Sequence, residues 1–183
     1  MTVLKTTLAY NNLDTLEGGY GISLRQLERF AQSTYADSDV SRWIPHADPR
    51  TAAGDLTAAA QMHKAVTVMM LKLEAQVIAR NPDFDLQGRD FLNHIDFAAG
   101  TVDYHGTVYP LLDCDFPTVD PAAPTTLTAE EAHVIAGLVR SFAESERLQR
   151  HVQFLYAHGA FYKICNGNLL YHGAVPMTED GAF

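Results

Sequence analysis

Positive charge is scarce in this chain. Thirteen lysines and arginines stand against 22 aspartates and glutamates, a net charge of −9. That balance argues against a nucleic-acid partner, because phosphate backbones demand a basic footprint. Cysteine is scarcer still: Cys114 and Cys165 are too few for a disulfide framework, so a reducing cytoplasm is the expected setting. Neither belongs to a Cys-x-x-Cys motif, and both are expected to pack as small apolar residues. No apolar run approaches the roughly 18 residues of a membrane span, so no membrane partner is expected. Met1 to Tyr10 lacks the charged start, long apolar centre and small-residue cleavage site of a signal peptide. Gly-x-Ser-x-Gly, Gly-x-x-x-x-Gly-Lys-Ser/Thr and Gly-x-Gly-x-x-Gly are all missing. Gly18-Gly19-Tyr20-Gly21 comes nearest to a phosphate loop but lacks the lysine and the preceding strand. There is no internal repeat. What remains is a chain of 183 residues, 47% hydrophobic and 19% charged, long enough to bury a core.

The periodicity is mostly helical. Met1 to Asp14 reads as the tail of a helix. Gly18, Gly19 and Gly21 then break the chain before a helix that Ser23 caps and that recurs at Leu24, Leu27, Phe30 and Ala31. Residues 36–55, with Pro45, Pro49 and Gly54, read as a loop that Trp43-Ile44 pins to the core. Leu56 to Arg80 contains neither Gly nor Pro, and Met62, Val66, Met69, Met70, Leu73 and Val77 form a core stripe at a 3.6 period, ended by Asn81-Pro82. From His94 to Leu111 the period becomes two, with turns at Ala98-Ala99-Gly100 and His105-Gly106, describing a three-stranded meander. Asp113 to Thr126, with three prolines, is an extended connector. Thr128-Ala129-Glu130-Glu131 is a capping box that opens a helix with the face Ile135, Leu138, Val139 and Phe142. The pattern is disturbed at Ser145, resumes with Leu148, Val152 and Leu155, and ends at Gly159. In the final stretch two apolar runs flank Asn166-Gly167, the strongest short-range hairpin signal, and the second run stops at His172-Gly173.

That last block, Tyr162-Lys163-Ile164-Cys165-Asn166-Gly167-Asn168-Leu169-Leu170-Tyr171-His172-Gly173-Ala174-Val175-Pro176-Met177, resembles the strand-His-Gly element of the binuclear metallophosphoesterases. More closely, the chain resembles the bacterial class III fructose-1,6-bisphosphatases along nearly its whole length. The matching blocks are Asn11-Asn12-Leu13-Asp14 through Tyr20-Gly21-Ile22-Ser23-Leu24, His63-Lys64-Ala65 through Lys72-Leu73-Glu74, Asn81-Pro82-Asp83-Phe84, and Val102-Asp103-Tyr104 through Tyr109-Pro110-Leu111. The resemblance implies an α+β fold. In it a mostly helical cap with a small β-meander, about 15–160, is inserted into a calcineurin-like metallophosphoesterase sandwich, and the hairpin and metal-ligand loop 161–183 belong to that sandwich. It implies hydrolysis of the 1-phosphate of fructose 1,6-bisphosphate in gluconeogenesis, with a hydroxide activated by two divalent ions, expected to be Mn²⁺. His172 is implied as one metal ligand, and imidazole suits a borderline divalent ion. Four segments that such a phosphatase needs are not found: Asp-x-His, Gly-Asp-x-x-Asp-Arg-Gly, Gly-Asn-His-Asp/Glu and a late Gly-His. Leu92-Asn93-His94-Ile95-Asp96 imitates the third without its Gly or its adjacent acid. The expectation is therefore an internal piece of a larger enzyme, inactive alone, with a homo-oligomer left open. A non-catalytic helical binding or assembly module is the rival reading.

The other histidines attract less. His151 and His158 lie seven apart on one helix face, too far to share an ion. His94 and His105 could face each other across strands but lack a third ligand. His46, His63 and His133 have no partner at ligand spacing. Of the paired acids, Glu130-Glu131 is explained by capping, Glu144/Glu146 by a solvated helix face near Arg147 and Arg150, and Glu179-Asp180 by a solvated loop.

Overall fold

A computed structural model describes residues 1–46, 56–173 and 177–182. The fold of these residues is α+β, with a small antiparallel sheet and a separate hairpin. The helices are α1 (Thr2–Ala9), α2 (Arg25–Thr34), α3 (Thr57–Arg80), α4 (Ala129–Glu144) and α5 (Glu146–His158). The strands are β1 (Ile95–Asp96), β2 (Thr101–Tyr104), β3 (Thr107–Pro110), β4 (Tyr162–Cys165) and β5 (Asn168–Tyr171). The chain divides into two compact units, Met1–Ala143 and Glu144–Phe183.

In the first unit α3 is the axis. Its 24 residues span about 36 Å at the helical rise, and α1 and α2 both pack against it. Leu4 and Leu8 of α1, and Leu27, Phe30 and Ala31 of α2, are buried there. The helix is less simply striped than its apolar period suggests. Between Ala59 and Met69 nearly every side chain is buried, including Gln61, Lys64 and Thr67. Beyond that, Lys72, Ala75 and Ile78 take the interior, while Met70 and Leu73 are half-buried and Val77 is exposed. The reason is polar: the interior positions contain two lysines whose ammonium groups are met by partners.

Ser23 does not cap α2. Leu24 holds the N-cap position without a side-chain cap, and its N–H is taken by Glu17 Oε1 at 3.3 Å. The Ser23 N–H instead donates to Ser141 Oγ of α4 at 3.1 Å. Gly18 and Gly19 fall inside one π-helical turn, Thr15–Gly19, and only Gly21 takes a positive φ, of 68°. Of the pinning pair, Trp43 is half-buried in a 3₁₀ turn and donates its indole N–H to Asp113 Oδ2 at 2.7 Å, whereas Ile44 is exposed. The rest of the expected loop, 47–55, lies outside the described residues.

The proline-bearing connector is held to α3 by a row of side chains. Lys64 Nζ lies 3.0 Å from Asp113 Oδ2 and 3.4 Å from Asp115 Oδ2. Lys72 Nζ donates to Thr118 O at 2.6 Å, and Gln76 Nε2 to Thr125 O at 2.8 Å. The partners advance along the connector as the donors advance along the helix, so an irregular segment gains fixed hydrogen-bonding positions. The capping box forms as the sequence implies: Thr128 N–H donates to Glu131 Oε2 at 2.8 Å and Glu131 N–H to Thr128 Oγ1 at 3.1 Å. The buried face of α4 is Glu131, Val134 and Leu138. Ile135 and Phe142 are half-buried and Val139 is exposed, so the face is rotated from the expected one.

The meander has the order β1-β2-β3, with Ile95 opposite Val102 and Val102 opposite Tyr109. Asp96 Oδ1 accepts from the N–H groups of Ala98 and Ala99 and fixes the first turn. His105 and Gly106, both at positive φ, make the second. Val102 is the buried strand residue and Leu92 anchors the entry turn.

In the second unit, Ser145 ends the helical run and starts α5, its hydroxyl accepting from Leu148 N–H at 3.4 Å. Leu148 and Val152 are half-buried, while Leu155 is exposed. The hairpin pairs Tyr162 with Tyr171 and Cys165 with Asn168, and every strand residue is exposed. A lone two-stranded hairpin is marginal in water. Amides of 161–171 are therefore expected to exchange within seconds to minutes in a dilute monomeric sample, while α3 stays protected. Protection at 161–171 equal to that of α3 would contradict this.

Candidate functional site

His172 follows directly on β5, one residue past the Tyr162–Tyr171 pair. The hairpin that carries it turns through Asn166 and Gly167, at φ 51° and 73°, as the Asn-Gly signal requires. Gly173 then takes φ 82°, a conformation that an L side chain resists, and this redirects the backbone right after the imidazole. His172 is exposed. Residues 174–176 of the same loop lie outside the described residues. Among the described residues no three His, Cys, Asp or Glu side chains gather into a group able to hold a metal ion. His172 can offer one nitrogen, and the residues present do not form a two-metal centre by themselves.

The remaining histidines are dispersed. His94 and His105 do not face each other. The β1–β2 register, continued by one residue, sets His94 opposite Asp103, and His105 sits in the β2–β3 turn with its ring against Gly88. His133 and His151 are exposed on α4 and α5, and the His158 ring lies 4.5 Å from Phe154. His46 is exposed, its N–H donating to Ala9 O at 2.7 Å. Both cysteines are free and exposed rather than packed, Cys114 in the connector and Cys165 at the turn end of β4. Glu144 and Glu146 are exposed on their helices, and the Glu179-Asp180 loop is closed by Thr178 Oγ1 donating to Asp180.

The polar groups that the sequence reading missed are buried. Lys72 and Glu131 have fully buried side chains and meet at 2.8 Å, Nζ to Oε2. Glu131 Oε1 has no hydrogen-bond partner among the described residues. Lys64 is also fully buried, donating to Asp39 O and paired with Asp113. Tyr35, likewise buried, has its hydroxyl 3.5 Å from Thr118 Oγ1, and burial pushes that phenol far above its ordinary range. The only sequence signal for this network was the presence of two lysines on an otherwise buried helix. Their partners, 51 and 59 residues away, left no pattern.

His63 is the histidine whose chemistry is altered. Its Nδ1 lies 3.0 Å from Trp43 O, a carbonyl that can only accept, so Nδ1 carries the hydrogen. Burial lowers its pKa below the ordinary value of 6.5, opposed by that hydrogen bond and helped by the charges of Lys5 and His46. The folded state thus prefers neutral His63. Its contribution to stability is present above the unfolded pKa of about 6.5 and is lost as pH falls through the lower folded value. In an NMR titration the His63 ring should be more than half neutral at pH 6.5; a midpoint at or above 6.5 would contradict its burial.

The sequence pattern of the Firmicute fructose-1,6-bisphosphatases matches residues 1–183. The chain is 46% identical over 184 residues to the fructose-1,6-bisphosphatase class 3 of Bacteroides fragilis, covering 99% of this chain and 28% of that protein. It is 44% identical over 184 residues to that of Alkaliphilus metalliredigens, covering 100% of this chain and 28% of the relative. The fructose-1,6-bisphosphatase class 3 1 of Clostridium beijerinckii is 43% identical over 183 residues, with 99% and 28% covered. The chain thus spans little more than a quarter of the length of these curated relatives. No solved structure shows significant similarity to it.

Proposed function

We propose, for a chain that belongs to the Firmicute fructose-1,6-bisphosphatase family, that the protein carrying it hydrolyses the 1-phosphate of fructose 1,6-bisphosphate. The products are fructose 6-phosphate and phosphate, a step of gluconeogenesis in the cytoplasm. The observation that carries this reading is 46% identity across 99% of the chain to a protein named for that activity. Such similarity along both compact units favours a phosphatase over a non-catalytic helical module.

Within this reading the two units have different tasks. The first unit, with its α3 axis and pinned connector, is a cap. The hairpin β4–β5 is part of a metallophosphoesterase sandwich, and its wholly exposed strands support that assignment, since apolar strands such as Ile164 and Leu169–Leu170 call for cover. His172 would hold one of two Mn²⁺ ions, together with ligands that this chain does not supply. Bound in pairs, such ions polarise phosphoryl oxygens and activate water. The part played by this chain's own residues is positional: the Asn166-Gly167 turn sets the hairpin register, and the hairpin leaves His172 exposed at its end.

The test compares phosphate release from fructose 1,6-bisphosphate, with Mn²⁺ added, by two proteins. One is the 183-residue chain alone. The other is a chimera in which this chain replaces the matching 28% of the Bacteroides fragilis relative. The chimera should turn over substrate and the chain alone should not. Activity of the chain alone would overturn the assignment of His172 as one ligand among many, and an inactive, folded, Mn²⁺-loaded chimera would overturn the family function for this chain.

A further inference from the structure

The first unit contains an open cleft of about 760 Å³, within the size range of small-molecule sites. It is formed where the C-terminal end of α1, the Trp43 turn, the middle of α3 and the β3 exit come together. Its walls are apolar, among them Val68, Leu71, Phe91, Val102, Leu111 and Phe116. Its ionisable lining is unlike the rest of the chain. In a protein of net charge −9 the cleft brings together Lys5, Arg42, His46 and His63, with Asp113 the one acid among the described lining residues. That acid is already engaged, 3.0 Å from Lys64 Nζ and accepting the Trp43 indole N–H at 2.7 Å. No close ion pair to a carboxylate is made by Lys5 or Arg42 among the described residues, although Asp39, outside the cleft lining, lies near enough to Arg42 to feel its charge. Lys5 and His46 are close enough to His63 that their charges oppose its protonation. Two fixed cations, Lys5 and Arg42, over an apolar floor in an acidic protein favour an anion over a cation or a neutral ligand.

We propose that this cleft binds an organic phosphate monoester with a planar or apolar body, the phosphate meeting Lys5, Arg42 and His46 and the body lying on the apolar wall beside Trp43. Two fixed cations suit a dianion better than a single carboxylate, and the guanidinium can engage two phosphate oxygens at once. The apolar wall excludes inorganic phosphate as the best occupant, because that ion leaves most of the cleft unfilled. This inference stands on the cleft alone and does not rest on the phosphatase reading.

Trp43 is the chain's single tryptophan, so its fluorescence reports on this cleft and nowhere else. The 183-residue chain is titrated with phenyl phosphate, benzoate, phenol and inorganic phosphate. Phenyl phosphate should change Trp43 emission saturably, with benzoate at least fivefold weaker and phenol and inorganic phosphate at least tenfold weaker. The His63 ring should titrate at higher pH in the phenyl phosphate complex, since the charges of Lys5 and His46 that oppose its protonation are then offset by the dianion. The Lys5→Glu/Arg42→Glu double variant should lose at least tenfold in affinity with an unchanged urea midpoint. If that variant unfolds, Arg42→Ala, at an exposed position, should still cost several-fold. Phenol binding as tightly as phenyl phosphate, or unchanged affinity in a folded charge variant, overturns the proposal, as does a Trp43 signal that does not respond.

Discussion

Removing either partner of the buried Lys72–Glu131 pair is expected to destabilise the first unit by about 3–5 kcal/mol, because each change leaves an uncompensated charge in the interior. Both side chains are fully buried and meet at 2.8 Å. Glu131→Leu also removes the acceptor for Thr128 N–H, so the first turn of α4 loses its capping box together with the ion pair. Lys72→Met leaves Glu131 with one oxygen bonded only to Thr128 N–H and the other without a partner. It also frees the Thr118 carbonyl and loosens the connector. The double variant Lys72→Met/Glu131→Leu should recover much of the loss, since two apolar side chains carry no desolvation cost. Urea unfolding of the four proteins measures the coupling directly. Single variants that each cost under about 1 kcal/mol would mean that water reaches the pair and that the interior is not closed around it.

How much of this was legible in the sequence depended on the range of the interaction. Local signals held: the capping box at Thr128 and Glu131, the Asn166-Gly167 turn, the break at Ser145 and the meander each rest on residues within a few positions of one another. Non-local ones did not. Ser23 was expected to cap α2 because its position suits a cap, but Ser141, 118 residues on, takes its N–H. The expected helical stripe through Leu73 and Val77 was drawn from apolar residues alone, whereas partners on the connector and α4 allow Lys64 and Lys72 inside, which turns α3 about its axis. The cleft's Lys5, Arg42, His46 and His63 come from separate segments and share no spacing that a sequence could reveal. His172 is the opposite case. Its hairpin was readable from the turn and the alternation, and its proposed role as a metal ligand rests on family resemblance alone.

The second large effect concerns His172. On the proposed assignment of His172 as a metal ligand, His172→Ala in the chimera with the Bacteroides fragilis relative should reduce turnover of fructose 1,6-bisphosphate by at least about a hundredfold, because losing one ligand would weaken the ion that activates water. The loss should be chemical and not structural. His172 is exposed, so the urea midpoint of the variant should match that of its parent within error. Mn²⁺ affinity should fall with the rate, and raising the metal concentration should restore part of the activity. A second exposed histidine of the same unit serves as control: His151→Ala, on α5, should leave both turnover and Mn²⁺ affinity within about twofold. The most direct measurement of the central claim is therefore Mn²⁺-dependent phosphate release by the chimera and its His172→Ala variant, side by side at equal concentration. A drop of two or more orders of magnitude with an unchanged fold is the predicted result. A His172→Ala chimera that keeps full activity and full Mn²⁺ affinity would contradict it.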